Sequence, residues 1–180
     1  MKKPILFAVS LLVIATLTFA GGGAGNGSSS PVARQILAFH SMYAVDGPFL
    51  DPANAIDGVE GDELPWVIKL AHGTLSSNGR LKIEVKGLVF SDDDKVPPDL
   101  QGINDEKEFR ALVSCLTETE DGQIVEAHVV SEGFAATIDG NSKIDAQLEL
   151  PDPCIRPVVF VLSGKEDKWF SVTGVEVEED

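Results

Sequence analysis

The chain has 180 residues, 29 acidic side chains against 14 basic ones and a formal net charge of −15 at pH 7. A surface this acidic repels nucleic acid and anionic lipid, so nucleic-acid binding is excluded as a function. Two cysteines and three histidines leave little material for a cysteine- or histidine-based metal site.

Met1, Lys2 and Lys3 precede an uncharged apolar run from Pro4 to Ala20, the pattern of a secretory signal peptide. The run is near the short limit for a bilayer span. Small residues at Thr18 and Ala20 favour cleavage after Ala20, with a second option after Ala24. No cysteine follows the run to take a lipid, and no later stretch is long and apolar enough to span a membrane, so the mature chain is expected to have no stable membrane span. Removing residues 1–20 takes two lysines and no acids, which moves the net charge from −15 to −17. Residues 21–32 open with Gly-Gly-Gly-Ala-Gly-Asn-Gly-Ser-Ser-Ser, a flexible linker. Within it Asn26-Gly27-Ser28 matches a glycosylation acceptor, without meaning expected in a bacterial tail. Residues 33–177 then form one domain.

Along the domain, alternation of period two dominates. Gln35–Tyr43 and Pro65–His72 read as the first strands. Leu81, Ile83 and Val85 alternate with Lys82, Glu84 and Lys86, a strand with one wet face. The Asn104 side chain is placed to cap a short helix with Asp105 and Glu106 in its first turn, and Ala111–Leu116 reads as a strand carrying Cys115. Val125, Ala127 and Val129 oppose Glu126 and His128. Ile144, Ala146, Leu148 and Leu150 oppose Asp145, Gln147 and Glu149. Val158–Leu162 is continuously apolar, as in a strand covered on both sides, and Trp169–Val177 closes the domain. Turn signals at Ser77-Asn78-Gly79, Asp121-Gly122, Asp139-Gly140-Asn141 and Gly164–Asp167 make neighbouring strands antiparallel. Seven or eight strands in this pattern predict an all-β, antiparallel two-sheet sandwich with at most one short helix, the immunoglobulin-like arrangement being the nearest architecture. Cys115 and Cys154 do not bracket a tryptophan as antibody domains require. In an exported chain an even pair of cysteines is expected to form a structural disulfide.

Motifs for chemistry are scarce. There is no Gly-x-Ser-x-Gly, no phosphate-cradling glycine loop and no zinc spacing among His40, His72 and His128. His72 and His128 fall on different strands, where a ligand pair would have to assemble in space. Asp92, Asp93 and Asp94, with Asn104-Asp105-Glu106, flank Pro97-Pro98 and are weak candidates for a calcium site. Asp92 and Asp94 have the spacing of the first two ligands of an EF-hand, but Val96 holds the third place and no glycine follows. Carboxylate pairs for glycoside hydrolysis are not ranked by the sequence, because 29 acids supply pairs by chance. Trp66, Trp169, Phe170 and Tyr43 are candidates for a ligand platform or, as is commoner for aromatics on strands, for core.

The segments Gly61–Trp66, Asn104–Thr117, Leu150–Cys154 and Glu166–Gly174 resemble those of a group of exported bacterial proteins without an assigned activity, over most of residues 33–174. The resemblance implies an exported β-rich domain and carries no catalytic residues. The reading that follows is a secreted or periplasmic β-sandwich without enzymatic activity or cofactor, a binding or structural module with a protein or glycan partner. A hydrolase of envelope polymers and a calcium-stabilised domain are the alternatives. N-terminal sequencing of the protein from its host is expected to begin at Gly21 or Gly25; recovery of an intact Met1-Lys2-Lys3 would contradict the signal peptide.

Overall fold

The structure is a computed structural model that describes residues 33–174. The expected signal peptide (1–20), the linker (21–32) and the last three residues of the expected domain lie outside the described residues. The domain is an all-β sandwich of antiparallel sheets that do not close into a barrel. Its strands are β1 (Gln35–Phe39), β2 (Met42–Ala44), β3 (Glu60–Gly61), β4 (Trp66–Val67), β5 (Leu70–Ser76), β6 (Arg80–Lys86), β7 (Val89–Phe90), β8 (Glu108–Glu118), β9 (Ile124–Val130), β10 (Phe134–Ala135), β11 (Ser142–Gln147), β12 (Ile155–Ser163) and β13 (Lys168–Thr173).

The small sheet has the order β1-β5-β6-β11, and its alternating sequence builds it. Leu81 opposes Leu75 and Ala146, while Val85 opposes Ala71; all are buried. The intervening Arg80 and Asp145 face water and form a bidentate pair at 2.6 and 2.7 Å. That arginine holds the Asp145 carboxyl below its ordinary range. The β5–β6 turn needs Gly79 twice over. Its φ is +81°, and a Cβ there would run into the Leu148 carbonyl, which belongs to the residue whose N–H donates to Gly79 O at 2.9 Å.

The large sheet has the order β10-β8-β12-β13-β2, with β9 beside β8 and β3 added parallel to β13. In β12 the run Val159–Leu162 is buried throughout, which agrees with a strand covered on both sides. Val161 opposes Ala111 and Ser171 on the face toward the small sheet, where the two sheets share one core. Phe160 opposes Leu112 and Val172, and that row runs outward to Val130 on β9 and Tyr43 on β2, so it lies on the other face. Burying each such large side chain is worth roughly 1.5–3 kcal/mol, so this second face cannot be left wet.

A strap, residues 46–59, covers it. Phe49 packs on Trp169 at 6.2 Å, and Trp169 on Phe160 at 6.3 Å. Gly58 faces Glu126 and His128 on β9, which a Cβ at that position would just touch, and Asp57 Oδ1 accepts from Arg156 Nη2 at 2.9 Å. Two single 3₁₀ turns shape the strap, at Gly47–Phe49 and Pro52–Asn54. Each carries a proline in its first positions, where the missing N–H costs nothing, and Asp46 Oδ1 caps the first by accepting from Gly47 N at 2.6 Å.

Several expectations are corrected. The helix after Asn104 does not form. The buried Asn104 instead accepts from Glu106 N at 3.0 Å and donates to the carbonyls of Glu106 (2.7 Å) and Thr137 (2.9 Å). The same side-chain chemistry that caps helices here satisfies a turn that leads into β8. Gln35–Tyr43 is broken between β1 and β2, which join different sheets, and Pro65–His72 is broken between β4 and β5. The expected last strand, Trp169–Val177, is present as β13 over Lys168–Thr173, and residues 175–177 of that expectation lie outside the described residues. Short β3, β4, β7 and β10 raise the strand number above the seven or eight expected.

Cys115 and Cys154 are bonded. Cys115 lies in β8 and Cys154 just before β12, its neighbour in the same sheet, where Ile155 opposes Leu116. The bridge therefore fastens two strands of one sheet, whereas the antibody bridge joins two sheets. It closes a loop with a sequence separation of 39; in the chain-entropy model, a loop of this size contributes about 4 kcal/mol. Cys115→Ala/Cys154→Ala is expected to fold to the same sheets and to lose up to about that much stability in urea titration.

Candidate binding site

Two clefts lie on either side of the β13 aromatic pair. Trp169 and Phe170 are adjacent in sequence, and they pack in different places: Trp169 against Phe49 and Phe160, and Phe170 against Trp66 at 4.0 Å and Phe109 at 5.9 Å. A register shift between β12 and β13 falls at this point, with Leu162 opposite Trp169 and Val161 opposite Ser171. The extra residue in β13 is what a bulge supplies, re-aiming side chains.

The first cleft, of about 410 Å³, lies between the strap and the margin formed by β2 and β13. Tyr43, Pro48, Phe49, Ile56, Trp169 and Val172 give it apolar walls, with Asp46 and Thr173 among its polar members. Tyr43 is 52 % exposed and Phe49 41 % exposed, while Trp169 is buried. The Trp169 indole N–H is buried and has no hydrogen-bond partner among the described residues. Buried donors are nearly always paired, so this one marks a place where an acceptor is wanted. Of the four aromatics considered as a platform, Trp66, Trp169 and Phe170 are core residues and Tyr43 is at the surface. Phe49 was not foreseen. It sits in a 3₁₀ turn, where no periodicity announces an exposed ring.

The second cleft, of about 320 Å³, is acidic. Asp62, Glu63, Asp105, Glu106 and Glu166 line it around Trp66, Phe90 and Phe170. Three of the four segments singled out by resemblance, Gly61–Trp66, Asn104–Thr117 and Glu166–Gly174, thus contribute to one cleft. Trp66 is held between Phe90 (4.2 Å) and Phe170 (4.0 Å), and its Nε1 donates to Asp62 Oδ2 at 2.8 Å. Burial pushes the Asp62 carboxyl above its ordinary range, against the lowering effects of the Trp66 and Leu64 hydrogen bonds and Lys168. Much of the remaining charge is internally engaged: Lys168 pairs with Glu63, Lys165 with Glu106 at 3.9 Å, and Ser163 Oγ donates to Glu106 Oε1 at 3.0 Å.

The other sequence candidates are dispersed. Asp92, Asp93 and Asp94 lie on an exposed loop, where Asp93 Oδ1 accepts from Lys95 N at 2.8 Å. Among the described residues no three His, Cys, Asp or Glu side chains are grouped to hold a metal ion. His72 is on β5 of the small sheet and His128 on β9 of the large one, so the two do not meet. His72 shares a hollow of about 370 Å³ with His40 instead, and its Nε2 lies 3.6 Å from Glu84 Oε2. No helix among the described residues is long and apolar enough to cross a membrane.

Comparison with family models, with curated proteins and with solved structures finds no match to the chain.

The direction of the Asp62 shift fixes a pH dependence. A carboxyl whose folded pKa is raised costs stability once it ionises, so that cost is absent below the unfolded value near 3.8 and grows as pH rises through the folded one. Asp62→Asn keeps an acceptor for Trp66 and is expected to melt higher than the native chain at pH 7, with the difference vanishing near pH 3. A lower melting temperature at pH 7 would contradict this assignment.

Proposed function

We propose that this chain is an extracytoplasmic β-sandwich binding module, without catalytic activity of its own, that takes a protein or glycan partner in the cleft between the strap and β2. The observation that carries the reading is the combination of two exposed rings, Tyr43 and Phe49, with the buried Trp169 in the wall of one apolar cleft. Concave, mostly apolar sites with a few polar groups are where ligands are held. Aromatic rings offer contact area at small cost in side-chain entropy. A sugar ring or a proline or aromatic side chain of a partner has the size and apolar faces for such a place. The acidic charge favours solubility and approach by basic partners, and an intrachain disulfide is the staple of proteins that work in oxidising surroundings.

The hydrolase alternative draws on Asp62, whose raised carboxyl sits in a cleft with Asp105 and Glu106. Two carboxylates in distinct roles are needed for that chemistry, and the ion pairs and hydrogen bonds around Glu63 and Glu106 describe structural acids instead.

A thermal-shift panel tests the reading, using chito-oligosaccharides, soluble peptidoglycan fragments, proline- and aromatic-rich peptides, and calcium chloride against a chelator. A ligand at about 100 times its Kd adds about 2.7 kcal/mol to folded-state stability. One glycan or peptide class is expected to raise the melting temperature, and Tyr43→Ala and Phe49→Ala are each expected to abolish most of that shift while leaving the unliganded fold intact. A shift that survives both substitutions would move the site elsewhere. A calcium response lost in Asp92→Asn/Asp94→Asn would favour the calcium-stabilised alternative.

A further inference from the structure

The large sheet ends on β9, and among the described residues no strand pairs with its outer edge. Edges of this kind are normally blunted by charge, brevity, proline or a bulge. Other margins follow that rule: β2 has three residues, β1 is bulged between Gln35 and Leu37, and β11 alternates the exposed Lys143, Asp145 and Gln147. Strand β9 has seven residues, no proline and no irregularity in its pairing with β8. It also exposes apolar side chains along its length, Ile124 at 57 %, Val125 at 38 % and Val130 at 39 %.

Its sequence, Ile-Val-Glu-Ala-His-Val-Val, reads nearly the same from either end about Ala127. Antiparallel pairing with an identical strand, centred on Ala127, would place Ile124 opposite Val130, Val125 opposite Val129, and Glu126 opposite His128. By symmetry each of these pairs occurs twice. Directly opposed residues project from the same face. Ile124, Glu126, His128 and Val130 lie on the strap side, in line with Glu118, Leu116, Ser114 and Leu112 of β8, so the pairs meet on matching faces. A pairing shifted by one residue would set apolar side chains against polar ones and turn one copy's inner face outward. Among the described residues neither Glu126 nor His128 forms an ion pair, although Glu126 stands in the field of Arg156.

We propose that two copies of this chain associate through β9, edge to edge about a two-fold axis at Ala127, to make one continuous sheet with two Glu126–His128 contacts. Main-chain hydrogen bonds supply the attraction, and the opposed carboxylate and imidazole set the register. Each copy uses its one β9 edge, so the assembly closes at two. The cleft at β2 lies at the opposite margin of the same sheet and stays open in the pair.

Sedimentation velocity over a concentration series, on the protein expressed from its complete sequence, tests this with three exposed-surface variants. Glu126→Lys removes the acceptor and sets a lysine against His128. His128→Glu sets glutamate against glutamate, and like charges directly opposed in a sheet are destabilising. Each acts twice in the pair and is expected to weaken dimerisation by about tenfold or more. The double variant Glu126→Lys/His128→Glu restores opposed charges and is expected to dimerise again, and circular dichroism confirms that all three keep the β fold. A native chain that is monomeric at every concentration would overturn the proposal. So would dimerisation that all the variants share equally, or growth past two copies into open chains.

Discussion

The row Tyr43–Val172–Phe160–Leu112–Val130 runs across the outer face of the large sheet, and with its inner face already packed on the small sheet this sheet is apolar on both sides. Most antiparallel sheets keep one face in water; this one cannot, because the middle of β12 carries no polar side chain between Val158 and Leu162. The strap is the response. It has little regular structure, so it gains cohesion from short-range devices: the Asp46 cap, two prolines that pre-set the 3₁₀ turns, and backbone bonds from Asp51 N to Asp62 O (3.2 Å) and Val59 N to Ile56 O (2.9 Å). Among the described residues three non-glycine ones take left-handed backbone conformations, Asp51 (φ +62°), Asp57 (+46°) and Arg156 (+51°). Two of them, Asp57 and Arg156, are the ion pair that ties the strap to β12. Such conformations cost energy and persist where surrounding contacts hold them.

How a covered face becomes a functional surface follows from the cover's limits. The strap packs on Trp169 through Phe49, and at the β2 margin Phe49 and the neighbouring Tyr43 stay exposed. At the other margin Gly58 faces Glu126 and His128, and among the described residues no strand pairs with the outer edge of β9. The two margins of the large sheet thus offer different chemistry: an aromatic cleft on one side and a row of main-chain groups on the other.

Strands with one wet face were legible in the sequence for β6 and β11, because alternation of period two registers directly which side meets water; on β9 the same alternation misled, since none of its residues is fully buried and Val125 is exposed. The continuous run in β12 was legible as well, and correctly implied two coverings. It did not say what the second covering was. Residues 46–59 have no period to read, since a loop laid over a sheet contacts it through whichever side chains its turns direct downward. The same limit hid Phe49 and the breaks in the first two expected strands, where the chain leaves one layer for another. At Asn104 the local chemistry was read properly and its setting was not: an Asx contact serves a turn as well as a helix, and the choice was made by the packing of β8. The pairing of Cys115 with Cys154 was legible from the even count and the expected compartment, but its place within one sheet depended on strand order. Neither cleft was legible, for each draws side chains from segments distant in sequence that only the sheet register brings together.

Amide hydrogen exchange resolved to single residues addresses the dependence of the large sheet on its strap most directly. If the strap is part of the packed structure, the amides of Phe49, Asp51, Val59 and Asp62, which donate to Asp46, Asp62, Ile56 and Trp169, will be protected to an extent approaching the amides of β13 and far beyond those of the hairpin turn at 119–123. Exchange of those four amides at the rate of that turn, with β12 and β13 still protected, would contradict it and would mean that the outer face of the sheet is stable without its cover.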